Sequence, residues 1–574
     1  MASGNTQSRS SLIKKLKDRT YLVTVFLKSC AAGLITAQTQ YIYSRVTESY
    51  MDDLLILMRN STESPTCGST FSNTSSPAFY KQLEIEAEIS TDAAQWSMYL
   101  MMANLIPLII LILLLGSRSD QVGRRFIFLV NLIGSAINGI IFSFVVYYKL
   151  PLYALAIGSA IEGMAGGMFG TVMASFSHSS DQHNEDVSAE DTIGRQEESR
   201  NNPEKINADN FPASHSHAMS PETNNGNIDT MAPDCKPQGA DDMEGKNTNK
   251  DPRNGFKPTE THVPDVNRSV RLLAIESLSL MAFGSLQVVN GYIIKYGGFF
   301  YPAIFATGIL LADIVFTFLF LADSEKQVRA ERTRSVFEPL RIVFRAVRQP
   351  QKLLAFVLCN LGFMLVIFGD GGMLRTLTIY QMSPPLCWGS LELGWFTGAL
   401  YLSSILSVPF LMLLKRLKFS DPAMAGIGLL IAALVTAIYI AAENNGWIFF
   451  LGAVLSSPAM LPYALTRTIT SRLAGPEALG SLFATTALFE QIMILIGLVS
   501  GTRVYQSTLT TFHSAVFVFF SLIFFVASLI YFTEAIIDRR RNLRRQKVLT
   551  AGFQSYGTYT RPQRNTIKPG NNCY

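Results

Sequence analysis

Apolar segments long enough to cross a membrane recur along most of this chain. A helix needs about 20 apolar residues to span the hydrocarbon core of a bilayer. Twelve such segments can be placed, at residues 21–42, 96–115, 126–147, 152–175, 271–294, 299–321, 353–376, 392–414, 422–442, 447–467, 479–502 and 514–536. They predict an all-α membrane protein with twelve transmembrane helices, arranged as six helices, a connector and six further helices.

The composition fits a membrane protein and no other class. Of the 574 residues, 48% are hydrophobic and only 16% are charged, whereas soluble domains carry roughly 25% charged residues. The first apolar segment contains Lys28 and is not followed by a convincing small-residue cleavage site, so it is interpreted as a helix rather than a signal peptide. No His cluster, nucleophile motif or phosphate loop is recognisable, so we expect neither an enzyme nor a metal site, and no nucleic-acid partner.

Basic residues in the short loops predict which side of the membrane each loop occupies. Lys and Arg cluster before the first segment, between the second and third, in the connector, after the eighth and after the last. With twelve spans these clusters fall on one side, which the positive-inside rule assigns to the cytosol. The expected organisation is a cytosolic N-terminus (1–20), a first bundle (21–177 with 268–321), a cytosolic basic connector (322–352), a second bundle (353–536) and a cytosolic tail (537–574).

Two further stretches lie outside the predicted spans. Residues 43–95 contain glycosylation sequons at Asn60 and Asn73, on the side that the charge rule makes exterior. Residues 178–267 are polar, acidic and nearly free of aromatic side chains, so they are predicted to be a disordered cytosolic insert. A third sequon, at Asn267, falls on the cytosolic side and is expected to be unmodified.

A charged hinge between the second and third segments points to a fold. It carries a spaced set of glycine, acidic and basic residues, namely Gly116, Asp120, Gly123, Arg124 and Arg125. This pattern resembles the loop between helices two and three of major facilitator superfamily transporters. The resemblance implies two six-helix bundles around a central cavity, with Asp120 pairing with a cation or a helix N-terminus of the opposite half to gate the cytosolic side. The alternative is a cytosolic turn that only carries positive-inside charges.

Several segments narrow the resemblance to the proton-coupled folate transporter family, which includes thymic stromal and lysosomal members. They are Thr39-Gln-Tyr-Ile-Tyr, Trp96-Ser-Met-Tyr, Ala174-Ser-Phe with Ser180-Asp181, Arg268-Ser-Val-Arg271, Pro385-Leu-Cys387-Trp388, Arg467-Thr-Ile-Thr-Ser-Arg472 and Gly480-Ser-Leu-Phe. The resemblance implies a secondary active transporter of a small organic solute, an anion driven by a proton gradient with no other cofactor. It also implies a multi-pass protein, in contact with membrane lipid, of the plasma membrane or the endosome and lysosome.

Two cysteines lie in predicted exterior segments, Cys67 and Cys387. Both occupy positions that match the external disulfide of the resembled family, which implies a bridge between the two halves. Two free thiols are the alternative.

Ionisable residues inside apolar segments are the candidates for substrate and proton binding, because each is costly to place in a bilayer. They are Lys28, Glu276, Asp313, Asp370, Arg467 and Glu490. By resemblance, Glu276 matches an acidic residue used for proton coupling and Arg467 a substrate- and proton-linked arginine, whereas Glu490 has no charged counterpart. Arg467 and Lys28 are expected to supply the counter-charge for an anionic substrate. Each residue also has a purely structural alternative. Lys28 and Glu276 could extend their charged groups to the membrane surface, and Arg467 could be a positive-inside anchor. Asp313 and Glu162 could form structural ion pairs.

Asp370 lies among glycines, in Phe368-Gly-Asp370-Gly-Gly372. The glycines predict a break in the seventh helix, of the kind that lines transporter cavities. A local ion pair with Arg375 is the alternative.

The chain also departs from the family that it resembles. The fourth-helix Arg and Asp of the folate transporter align with Ser159 and Gly167, and all six histidines lie in loops or at helix ends. Without a membrane histidine, any proton coupling has to use a carboxylate, with Glu276 and Glu490 as the candidates. The alternative function is a transport-inactive receptor or scaffold that signals through the insert, against which the retained intramembrane charges argue.

Overall fold

The computed structural model describes residues 20–52, 77–115, 124–167, 266–321, 338–475 and 479–557. Within these ranges all the regular structure is helical. The α-helices are α1 (Thr20–Ile35), α2 (Ala37–Ser49), α3 (Pro77–Leu115), α4 (Arg124–Tyr148), α5 (Tyr153–Met164), α6 (Val266–Gly297), α7 (Phe300–Phe320), α8 (Glu338–Ala346), α9 (Pro350–Met382), α10 (Ser390–Leu402), α11 (Ser407–Arg416), α12 (Asp421–Ile438), α13 (Trp447–Leu455), α14 (Leu461–Ala474), α15 (Leu479–Thr508) and α16 (Ala515–Gly557).

The helices reproduce most of the predicted spans. In the described ranges, 10 helices are long and apolar enough to cross a membrane, and the pair Trp447–Leu455 and Ser457–Ala474, bent by 43°, makes up to 11. Each corresponds to one predicted segment. The twelfth, residues 152–175, is described only as far as Gly167. The chain is therefore an all-α, multi-pass membrane protein.

Two helices continue well beyond the apolar segments that predicted them. α3 begins at Pro77 rather than near residue 96, and α16 continues to Gly557. The first part of α3 is rich in charge, but Ile85, Ile89 and Ala93 recur at four-residue spacing and are buried against α2. This one-sided apolar pattern holds a helix against its neighbour without the uniform hydrophobicity of a membrane span.

The predicted break at Asp370 is wrong, because α9 is continuous from Pro350 to Met382. Its glycines instead allow close packing. A Cβ at Gly369 would lie 2.5 Å from the Phe524 ring of α16, and one at Gly372 would lie 2.4 Å from the Gly497 carbonyl of α15. Glycine in a membrane helix serves close packing as readily as it permits a break.

Other spans are the ones that are interrupted. The first changes from α1 to α2 at Thr36, the eighth contains a 3₁₀ segment at Ser403–Leu406, and the tenth bends at another, Ser457–Met460, which includes Pro458. Proline removes a backbone donor and so favours a bend. At Thr36, the nearby Gly33 carbonyl accepts a hydrogen bond from Gln287 Nε2 of α6 at 3.0 Å.

Helices before the connector, α1–α7, form the first half of the described chain, and α9–α16 form the second half. α6 and α10 join the halves along a line of glycines, Gly284 and Gly291 facing Gly398 and Gly394. Farther along the interface, Leu105 and Leu108 of α3 pack with Phe363 and Ile367 of α9 and Ile494 of α15. Any relative motion of the halves must rearrange these contacts.

Several predicted sites fall outside the described residues. Residues 116–123 of the hinge, both sequons at Asn60 and Asn73, Cys67 and the insert up to residue 265 are among them. The gate, the glycosylation, the disulfide with Cys387 and the insert therefore stay predictions. Arg125, at the start of α4, donates to the Phe318 carbonyl of α7 in the same half.

Candidate functional site

Three of the predicted candidates meet in one buried cluster, the Arg467 triad, formed by Arg467, Glu276 and Glu490. Arg467 of α14 donates from Nη1 to Glu276 Oε1 of α6. From Nη2 it donates to both carboxylate oxygens of Glu490 in α15, at 3.2 and 3.4 Å. The side chains of Arg467, Glu276 and Glu490 are 6%, 15% and 2% exposed. The triad thus joins one carboxylate of the first half to an arginine and a carboxylate of the second.

The surrounding sequence fixes this arginine in place. The guanidinium carbon of Arg467 lies 5.9 Å from the centre of the Phe363 ring. Thr466, the preceding residue, is hydrogen-bonded to Tyr531 of α16. Arg467 therefore belongs structurally to the second half, and its bond to Glu276 crosses to the first.

Next to Glu276, a second polar contact crosses between the halves. The Ser277 hydroxyl lies 3.2 Å from that of Ser407 and donates to the Ser404 carbonyl at 3.3 Å. Ser404 lies in the 3₁₀ segment Ser403–Leu406, where its carbonyl accepts the i→i+3 bond from the Ser407 N–H instead of an α-helical one. Glu276 thus lies at the interface of the halves and not in a purely solvated position.

The triad carries an excess negative charge. Two ionised carboxylates face one guanidinium, so a buried net charge of minus one remains unless one carboxylate binds a proton. An uncompensated buried charge is strongly unfavourable. The cluster can therefore hold one proton chemically, and its charge state can alter the contact between the halves.

A second buried cluster, the Lys28 cluster, lies within the first half. Lys28 of α1 is buried, and its Nζ donates to the Gly167 carbonyl at 3.1 Å. That carbonyl is available because the chain leaves α5 through Gly166 and Gly167, whose φ angles are 106° and 55°. The opposite charges that act on Lys28 are those of Glu162 and Asp313. Lys28 is thus turned into the bundle rather than extended towards its edge.

The two carboxylates of the Lys28 cluster differ in their surroundings. Glu162 accepts hydrogen bonds from Ser135 Oγ at 2.8 Å and Asn138 Nδ2 at 2.7 Å. Asp313 is completely buried and accepts a long bond from Thr317 at 3.4 Å, and its Oδ2 has no hydrogen-bond partner among the described residues. The negative charge of Asp313 is therefore compensated mainly by Lys28, whereas that of Glu162 is also stabilised by its two hydrogen bonds.

Replacing Lys28 with methionine should destabilise the protein by about 1–3 kcal/mol, because it leaves the buried carboxylate of Asp313 without its cation. The double variant Lys28→Met with Asp313→Asn should recover part of this loss. Thermal unfolding of the purified protein in detergent measures both. Equal stability of the single and double variants would show that Lys28 and Asp313 do not depend on each other.

Asp370 and Arg375 make separate contacts. Five residues on a helix turn the chain by about 140°, so the two side chains leave α9 on different faces. Asp370 accepts a hydrogen bond from Tyr463 of α14. Arg375 instead crosses to the first half, where it donates to the Thr39 hydroxyl of α2 and approaches the Met101 sulfur of α3 at 3.8 Å. The alternative of a local Asp370–Arg375 ion pair is wrong.

A cavity of about 660 Å³ opens at one end of the interface between the halves. Glu86 and Asp92 of α3 line one wall, and Gln506 and Thr510 line the other. Hydrogen bonds between the halves border it: Ser90 with Ser383 at 2.8 Å, and Gln506 Nε2 with the Thr91 carbonyl at 3.1 Å. In the predicted topology this end is exterior.

Some residues that form these sites carry no signal in the sequence that would single them out. Tyr463, Ser277 and Ser407 are ordinary polar residues in apolar segments, and nothing in their spacing marks them. Arg375 was visible as an intramembrane charge, but its proximity to Asp370 in sequence favoured a local pair. Among the described residues, no group of His, Cys, Asp or Glu side chains could hold a metal ion.

Comparisons with known proteins agree with the architecture. No family model matches the chain. The chain is 21% identical over 484 residues to the lysosomal proton-coupled steroid conjugate and bile acid symporter of Bos taurus, covering 82% of this chain and 84% of that protein. The symporter of the same name from Gallus gallus is 27% identical over 259 residues, 43% of this chain and 54% of that protein.

One further relative and one solved structure extend the comparison. The proton-coupled folate transporter of Rattus norvegicus is 20% identical over 424 residues, 74% of each chain. The crystal structure of the human organic anion transporter MFSD10 superposes with a TM-score of 0.54 at 14% identity, covering 90% of this chain and 99% of that one. At that identity the structural match supports the fold alone. The relatives found by sequence are named as transporters and not as enzymes.

Proposed function

We propose that this chain, a transporter with the major facilitator fold that resembles the proton-coupled folate transporter family, moves an organic anion together with protons by alternating access. The bond from Arg467 to carboxylates of both halves carries this proposal. Two halves that rock around a central site are the general mechanism of such folds. A charged contact between the halves that depends on one proton supplies the coupling.

The coupling step follows from the charges of the Arg467 triad. While Glu276 is ionised, its bond to Arg467 holds the halves together at this point. A proton on Glu276 removes the ion pair, and Arg467 keeps Glu490 as its partner within the second half. The halves are then free to separate here. Return of the proton to water restores the contact.

The predicted topology gives this step a direction. Glu276 lies early in the predicted fifth segment (271–294) and Arg467 at the end of the predicted tenth (447–467), which are the predicted cytosolic ends of these segments. Opening of the triad would therefore expose the central site to the cytosol. The hydrogen bonds of Ser90 with Ser383 and of Gln506 with Thr91 would have to open for access from the other side.

The substrate class rests on relatives and on charge. One group of relatives is named for steroid conjugates and bile acids and another for folate. We propose a small organic anion, carried across the plasma membrane or the membrane of an endosome or lysosome. The proton gradient replaces any bound cofactor.

An untargeted substrate screen tests the function directly. The full-length protein is reconstituted in liposomes, incubated with a mixture of organic anions at acid and neutral external pH, and the accumulated compounds are identified by mass spectrometry. We expect accumulation of at least one anion that increases at acid pH. A protein that binds solutes but accumulates none at either pH would instead be a receptor or scaffold.

A further inference from the structure

Arg375, Arg467 and Lys28 differ in how their positive charges are compensated. Arg467 contacts two carboxylates, and Lys28 lies in the field of two others. Among the described residues, the hydrogen bonds of Arg375 go only to neutral groups, the Thr39 hydroxyl and the Met101 sulfur. None of the ion pairs formed between described residues includes Arg375.

The position of Arg375 is as informative as its charge. It belongs to α9 of the second half, and both of its contacts belong to the first half. A guanidinium held across this interface lies where a carrier has to bind and release its cargo. The interruption of the first span at Thr36 is one turn from Thr39, and irregular backbone inside a membrane protein is characteristic of a lined cavity.

The surroundings of Arg375 add an apolar wall. Met101 packs with the apolar interface residues Leu105, Phe363 and Ile367, which come from both halves. A ligand at Arg375 would therefore meet one positive charge and a hydrophobic surface beside it. A guanidinium also binds planar or tetrahedral oxyanions through more than one N–H group.

We propose that Arg375 binds the anionic group of the substrate, and that this substrate is an amphipathic monoanion whose apolar body lies against Met101 and Leu105. One uncompensated guanidinium matches one negative charge, because a second charge on the ligand would remain unpaired. This inference rests on the proposed carrier function and assigns the anion-binding role to Arg375, not to Arg467 or Lys28. Both of those cations already have carboxylates to compensate them.

Binding by the purified full-length protein tests the proposal. The probes are steroid and aromatic sulfates and carboxylates, each paired with its uncharged parent compound. We expect the wild type to bind at least one anion about tenfold or more tightly than its parent. Arg375→Gln should lose about ten- to a hundredfold in affinity for that anion, with little change for the parent, because it removes a charge-assisted hydrogen bond. Arg375→Lys should retain an intermediate preference.

Arg503→Gln is the matched control. Arg503 is an exposed arginine of α15 that donates only to Gln506 among its described contacts, so anion binding should not change. A wild type with no preference for anions over their parents, or an Arg375→Gln variant with unchanged preference, would overturn the proposal.

A purely structural role for Arg375 predicts a different result. If Arg375 only latches the halves through Thr39, its loss should lower the thermal stability of the unliganded protein and affect charged and neutral ligands alike. An anion-binding role predicts that unliganded Arg375→Gln has a Tm equal to or higher than that of the unliganded wild type. The reason is that the substitution removes a part-buried charge without an acidic partner. Arg375-dependent anion binding without any transport would refute the carrier function alone, whereas normal transport by Arg375→Gln would refute this assignment alone.

Discussion

Replacing Arg467 with methionine is expected to abolish proton-driven uptake and to destabilise the protein by about 3–5 kcal/mol, because breaking a buried ion pair leaves charge uncompensated. Here two carboxylates, Glu276 and Glu490, would lose the same cation at once. Uptake into proteoliposomes and thermal unfolding in detergent measure the two effects separately.

Two controls separate charge from packing at Arg467. The triple variant Arg467→Met, Glu276→Gln, Glu490→Gln should recover most of the stability and none of the proton-driven uptake. Arg472→Met, in the same helix, breaks a partly exposed pair with Asp421 at 2.8 Å, in which the arginine side chain is 41% exposed, and should change stability by less than about 1 kcal/mol. If Arg467→Met remained as stable as Arg472→Met, the triad would not be a compensated buried cluster.

Replacing Gly394 with valine is expected to separate α6 from α10 and to abolish transport. A Cβ at this position would lie 2.7 Å from the Gln287 carbonyl and 3.0 Å from the Gly291 Cα. Backbone cannot move away as a side chain can, so we expect a loss of about 1–3 kcal/mol or more from overpacking. Uptake, folded yield and Tm of the variant provide the measurement.

Gly308→Val is the control for this substitution. Gly308 lies in the exposed part of α7, and nothing lies within 4 Å of a Cβ built there. This variant should fold and transport as the wild type does. Normal transport by Gly394→Val would mean that the halves do not need this close backbone contact in any state of the cycle.

The spans could be predicted because length and hydrophobicity determine them almost alone. The ends could not, since α3 extends to Pro77 through an amphipathic sequence that a hydrophobicity average misses. Asp370 illustrates another limit. Glycines beside a charge suit either a broken helix or close packing, and only the neighbouring Phe524 and Gly497 decide between them.

The candidate site was predictable as a set of residues and not as an arrangement. Glu276, Arg467 and Glu490 stood out because charges are rare in apolar segments. Their contact depends on helix packing, because Arg467 is 191 residues from Glu276 and 23 residues from Glu490 in sequence. For Arg375, proximity in sequence was misleading, because the nearby Asp370 points to another face of the same helix.

The proton step at the Arg467 triad is tested most directly by measuring proton entry during substrate uptake. Proteoliposomes containing a pH-sensitive dye receive the substrate identified in the screen, with the wild type compared with the double variant Glu276→Gln, Glu490→Gln. We predict that the substrate acidifies the lumen in the wild type, and that the double variant binds substrate without moving protons. Proton entry at the wild-type ratio in the double variant would contradict the account, because both proposed proton-binding carboxylates would be absent.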